Sequence, residues 1–222
     1  MSAQNLTYLQ IVNKVLPRLR EATVAAVTTT TYSSFIGELV NQVKEEIENA
    51  WHWYALRDTF TVNTSATVSS YTLTGAGRGS VILDGWNTSA PGPLTPGTNR
   101  SFNQKFFGET TPATGRPTQY LVSGFDSAYD LTIDVWPVPT ATANALKFNV
   151  YQPQDDLSAG SDVPSIPSNV LIEGVYARAL AERGDDGGDA GQRAEAVYQN
   201  LLASAVARDA AYDPTEVDWA PV

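Results

Sequence analysis

At 222 residues, 42% of them hydrophobic, the chain can bury a substantial core in one domain or two small ones and is too apolar for a disordered protein. Its 24 acidic against 14 basic side chains give a formal charge of -10, which disfavours a conventional nucleic-acid binder, because such a protein needs a basic patch to release counterions. The lack of cysteine excludes disulfides, thiolate metal sites and cysteine nucleophiles.

Residues 1–15 lack a basic region followed by a continuous apolar stretch. No apolar run elsewhere approaches the roughly 20 residues that span a bilayer, so a soluble protein made in the cytoplasm, with no membrane partner, is expected.

Leu6, Leu9, Val12, Leu16 and Leu19 recur at intervals of three and four, with Ile11 and Val15 widening the stripe. This spacing predicts an amphipathic helix, kinked or ended near Leu16 by Pro17. Residues 28–31 are polar and read as a loop. The clearest helix follows, with Phe35, Leu39, Val43, Ile47, Ala50 and Tyr54 on a 3.6-residue period, while Glu38, Lys44, Glu45 and Glu48 fall largely elsewhere. Trp51, Trp53 and Tyr54 crowd its end, as rings that plug the junction between a helix and a following sheet.

From Asp58 the period changes to two. Phe60 and Val62, Tyr71 and Leu73, and Val81 and Leu83 are predicted inward positions, with Gly75, Gly77, Gly79 and Gly85 as turns. Residues 88–117 are rich in Pro, Gly, Thr and Asn, which predicts long loops around a short strand containing Phe106 and Phe107. Strands resume at residues 119–123, 131–136 and 146–151. In the second, Leu131, Ile133 and Val135 face one way, and Asp130, Thr132, Asp134 and Trp136 the other. Short strands between turn signals predict a small antiparallel sandwich or barrel.

Residues 155–169, with Pro153, Pro164 and Pro167, read as a linker returning the chain to the helical part. Ser168 or Asn169 can cap a helix that buries Leu171, Ile172, Val175, Ala179 and Leu180 and stops at Gly184. A last helix follows, with Asp189 and Gln192 resembling a capping box and Val197, Leu201, Ala205 and Val206 as its stripe. Residues 213–222 read as an extended tail. The expected fold class is therefore α+β. Residues 1–57 and 167–210 form a discontinuous helical bundle, 58–166 an inserted antiparallel β-sandwich or barrel-like unit with linker, and 211–222 the tail.

Few residues point to chemistry. His52 is the only histidine and sits between two tryptophans, without a Gly-x-Ser-x-Gly elbow elsewhere. Asp126, Asp130 and Asp134 could be weighed as glycosidase carboxylates, but Asp130 and Asp134 alternate with apolar strand residues as a solvated face does. Asp185, Asp186 and Asp189 among Gly184, Gly187 and Gly188 superficially resemble a calcium loop, yet lack alternating ligands and a terminal Glu. Gly75-x-Gly77-x-Gly79 leads into no helical pattern, so no phosphate loop is expected. No enzyme activity, cofactor or metal is expected. Trp219, close to the end of this sequence, is a typical anchor for a partner pocket, or else folds back on its own subunit.

Residues 35–41 (FIGELVN), leading into 47–53 (IENAWHW) and Leu56-Arg57 and followed by a β insertion, resemble the head-to-tail adaptor family of tailed bacteriophages, especially its tail tubular protein A-like members in short-tailed phages. Pro164 and Pro167 before residues 175–184 (VYARALAERG), and a second helix containing Tyr198, agree with this. The resemblance implies a structural virion protein of the tail or neck. Such a protein forms a homo-oligomeric ring of about twelve copies beneath the portal protein. It passes genomic DNA without sequence-specific binding and docks tail nozzle or tail fibre proteins.

On that footing Val217, Trp219 and Pro221 are portal-contact candidates, and Phe35, Leu39, Val43, Ile47, Leu171, Val175 and Leu201 are ring-packing candidates. The alternative is a β module that binds carbohydrate or another surface ligand through Trp86, Tyr129 and Trp136.

Overall fold

The structure, a computed structural model, describes residues 5–89, 91–108, 110–140, 145–184 and 189–212. In chain order the elements are α1 (Tyr8–Val15), α2 (Thr31–Ala50), β1 (Arg57–Asn63), β2 (Ser70–Leu73), β3 (Val81–Asn87), β4 (Gly92–Pro93), β5 (Thr95–Pro96) and α3 (Asn99–Phe107). They continue as β6 (Thr114–Gly115), β7 (Gln119–Phe125), β8 (Leu131–Trp136), β9 (Val138–Pro139), β10 (Ala145–Tyr151), α4 (Ser168–Glu182) and α5 (Asp189–Ala210). The fold is mixed α and β. The chain divides into two compact units, one from Met1–Leu56 with Gln154–Val222 and one from Arg57–Pro153.

In the first unit, α1 ends where Pro17 predicts: it gives way after Val15 to a 3₁₀ turn over Leu16–Leu19. A capping box opens it, with Thr7 Oγ1 accepting from the Gln10 N–H at 3.3 Å and Gln10 Oε1 from the Thr7 N–H at 3.0 Å. Ile11, Val12, Val15, Leu16 and Leu19 are buried. Residues 27–29 form a 3₁₀ turn where only a loop was expected, and α2 starts at Thr31 behind a reciprocal Thr30–Ser33 cap. α2 packs against α1 and α4, and α4 against α5.

Gly174 marks a close approach of three helices. A Cβ there would lie 2.6 Å from Val43 Cγ1 and 2.8 Å from Tyr198 Cε2, so only glycine lets α4 settle between its neighbours.

Three helix expectations are corrected. Ser168 does not cap α4, because its hydroxyl accepts from the Leu6 N–H at 2.9 Å, which ties α4 to the segment before α1. Asp189 is itself helical, within α5, and its carboxylate pairs with Arg193 at 3.5 Å. The buried face of α5 runs through Ala194, Tyr198 and Ala205, which leaves Val197 45% exposed.

The returning segment is no free linker. Asn41 of α2 exchanges two hydrogen bonds with the Leu157 backbone, at 3.1 and 2.9 Å. The Tyr8 and Leu9 amides at the start of α1 donate to Asp162 O and Gly160 O, and Leu157 and Ile166 are buried.

The second unit holds two four-stranded sheets in the orders β1-β10-β3-β4 and β2-β8-β7-β5, and a parallel pair β6-β9. Neither four-stranded sheet closes on itself among the described residues, so the barrel-like form is not found. One buried cluster draws on both sheets, with Val62, Leu146, Phe148 and Val150 from one and Leu73, Tyr120, Leu131, Ile133 and Val135 from the other.

Val81 is 43% exposed and Gly85 is no turn. Gly85 sits within β3 beneath the Phe148 ring, where a Cβ would come within 2.9 Å of Cε1. Phe106 and Phe107 belong to helix α3, not a strand. The Thr98–Ser101 cap starts the helix, and the i, i+4 pair Phe102 and Phe106 turns one face inward. Phe106 meets Trp136 edge-on at 5.3 Å, which buries the tryptophan expected to face solvent.

Candidate assembly surfaces

Two regions of the helical unit concentrate its polar contacts. At the first, α2 ends at Ala50 and the chain turns extended at Trp51. Trp53 is buried, and its indole N–H donates to Ile47 O at 2.8 Å, which satisfies one of the carbonyls a helix end leaves open. One oxygen of Asp209 in α5, Oδ2, accepts both the Trp51 indole N–H at 3.0 Å and the Tyr54 backbone N–H at 2.9 Å. The aromatic cluster thus fastens the end of α2 to the end of α5. Beside it runs a groove whose lining includes Leu6, Lys14, Trp53, Ile172, Ala205 and Arg208.

At the second region Glu46 of α2 joins both C-terminal helices. Its Oε2 accepts from Arg178 Nη2 at 2.6 Å and its Oε1 from the Tyr198 hydroxyl at 3.3 Å. Burial and the adjacent Glu46 charge push the Tyr198 phenol well above its usual range. On another face of α4, Arg18 holds Glu173 with two hydrogen bonds at 2.7 and 2.9 Å and stacks over the Tyr176 ring at 3.8 Å. Arg183 binds Tyr32, Leu19 O and Glu21.

One buried pair contradicts the outward placement of the α2 charges. Lys44 and Glu48 are each 2% exposed and bonded at 3.2 Å, and Lys44 Nζ also donates to Gln154 O at 2.5 Å. The Gln154 amide side chain in turn bonds Val163 O and the Ser165 N–H. Burial raises the Glu48 carboxyl above its ordinary value, with the attraction of Lys44 opposing the rise. The i, i+4 Lys–Glu spacing was the only sequence signal for this pair.

Of the ring-packing candidates, Leu39, Val43, Ile47, Leu171 and Val175 are buried inside their own unit, while Phe35 and Leu201 are half-buried. The portal-contact candidates Val217, Trp219 and Pro221 lie outside the described residues, as do Asp185 and Asp186. Trp86 and Tyr129 are 45% and 55% exposed. Asp126 spends its Oδ1 on the Ala128 and Asp130 N–H groups, as a turn carboxylate does. No described helix is long and apolar enough to cross a membrane.

No curated protein matches the chain. Residues 6–218 match the family described as SU10 adaptor protein, a span that takes in both helical ends and the β unit between them. The chain therefore belongs to the SU10 adaptor protein family, a family of phage head-to-tail adaptors.

Proposed function

We propose that this chain is a structural protein of the virion neck, a head-to-tail adaptor that assembles as a ring of about twelve copies beneath the portal. The ring extends the channel for the genome and presents a docking surface for the tail nozzle or fibres. The family match over residues 6–218 is the observation that carries this reading. In it the helices from both ends form a bundle, and the two sheets form a sandwich inserted between them in the chain.

The charge of -10 per copy supports a conduit wall along which DNA slides without sticking. That same charge opposes ring closure, so apolar helix contacts and the portal template must hold the ring. Phe35 and Leu201, half-buried, can meet a neighbouring copy, while Leu39, Val43, Ile47, Leu171 and Val175 hold the helices that present them. Val217, Trp219 and Pro221 are the proposed portal contacts. The function is assembly and passage, without bond chemistry or a cofactor. The glycan-binding alternative loses one of its three aromatic candidates, since Trp136 is 8% exposed.

A phage carrying a nonsense codon in this reading frame, grown on a non-suppressing host, tests the reading by electron microscopy of its particles. DNA-filled heads without tails are expected. Complete, infectious particles would overturn it.

A further inference from the structure

The groove of the helical unit has a floor of Trp53, Ile172 and Ala205 and two exposed cations at its margin, Lys14 and Arg208. Among the described residues neither cation forms an ion pair, nor does Arg20 away from the groove, whereas Arg18, Arg178, Arg183 and Arg193 of the same unit do. Asp209, the groove's carboxylate, is already engaged by Trp51 and Tyr54. An occupant that is both apolar and acidic would suit this surface.

The chain carries such a segment at the groove itself. Tyr212, the last described residue, lines the groove, is 66% exposed and stands 6.0 Å from the Tyr54 ring. The next ten residues hold Asp213, Glu216 and Asp218, no Lys or Arg, and the apolar Val217, Trp219 and Pro221. Ten extended residues reach about 33 Å, so a segment tethered at the rim can run along the groove. A short tether also keeps it at an effective concentration of about a millimolar.

We infer that in the free subunit residues 213–222 seat in the groove of their own chain, with Trp219 as the buried anchor and the carboxylates facing Lys14 and Arg208. This goes beyond the adaptor assignment and does not depend on it. Where the same residues also contact the portal, portal binding must first lift them from the groove.

The absence of cysteine in these 222 residues allows a direct test on the whole chain. Ala220→Cys combined with Asn169→Cys on the groove is compared with Ala220→Cys combined with Gln199→Cys, placed away from it on α5. At low protein concentration, with oxidised glutathione as the oxidant, the groove pair is expected to form an intrachain disulfide about tenfold faster than the control pair. Val217→Cys and Val222→Cys repeat the test at neighbouring tail positions. Lys14→Glu with Arg208→Glu, shown to be folded by circular dichroism, should reduce the rate to that of the control. Equal rates for groove and control pairs at all three tail positions would overturn the inference. Disulfides only between chains would overturn it in favour of a second copy in the groove, and a rate indifferent to the charge reversals would remove its electrostatic basis.

Discussion

Lys44 Nζ lies 3.2 Å from Glu48 Oε2 one helical turn along α2, with both side chains 2% exposed, and Lys44 also binds the carbonyl of Gln154, where the chain re-enters the helical unit. Two charges removed from water are stable only while they hold each other and their remaining partners. Lys44→Met should therefore cost about 3–5 kcal/mol, because it strands a buried carboxylate. Lys44→Met with Glu48→Leu should recover most of that loss. Urea denaturation of the two variants decides between this account and a merely decorative pair.

The same pair sets a pH dependence. The Glu48 carboxyl is raised above its ordinary 4.5, so the folded state holds this proton more tightly than the unfolded chain does. Its contribution to stability is complete below 4.5 and is lost as pH rises through the folded value. Relative to Glu48→Gln, the parent protein should therefore lose stability with rising pH across that window. Unfolding midpoints measured in parallel from pH 4 to pH 8 check it, and a difference that grows in favour of the parent would contradict the assignment.

Asp209 is a single acceptor for two donors from the end of α2. Asp209→Ala should cost about 2–3 kcal/mol, since hydrogen bonds to a charged group contribute about 1.5–3 kcal/mol. Thermal unfolding measures the loss, and a change in intrinsic tryptophan emission should accompany it as the Trp51 indole is released.

Gly174 allows α4 to approach both Val43 and Tyr198. Gly174→Ala should destabilise the protein by about 1–3 kcal/mol through overpacking, although alanine is the better helix former. An unchanged unfolding midpoint would mean that the helices separate at no cost.

In the β unit, Phe148 is fully buried, meets Tyr120 edge-on at 5.4 Å and covers Gly85. Gly85→Ala should destabilise by a similar amount, and the penalty should shrink in a Phe148→Leu background, where the ring no longer occupies the space. A double-mutant cycle with additive effects would show that the contact is not what excludes the Cβ.

Much of the architecture was legible where one physical rule dominates. Pro17 marked the end of α1, and the alternation of Leu131, Ile133 and Val135 gave the inward face of β8. Hydropathy misplaced Lys44 and Glu48, because a rule that sends charges outward cannot register a partner contributed by a backbone carbonyl far along the chain. Helix α3 was hidden by the Gly- and Pro-rich flanks, although Thr98, Ser101 and the spacing of Phe102 and Phe106 carried its signal.

The groove could not be read from sequence at all. It needs Trp51 and Asp209 to meet across 158 positions, a tertiary fact without a local pattern.

The most direct test of the adaptor account is the native mass of the purified protein, alone and after mixing with its portal ring. The account predicts a subunit that joins the portal in about twelve copies, matching the symmetry of the template. A protein whose mass is unchanged by the portal would contradict it.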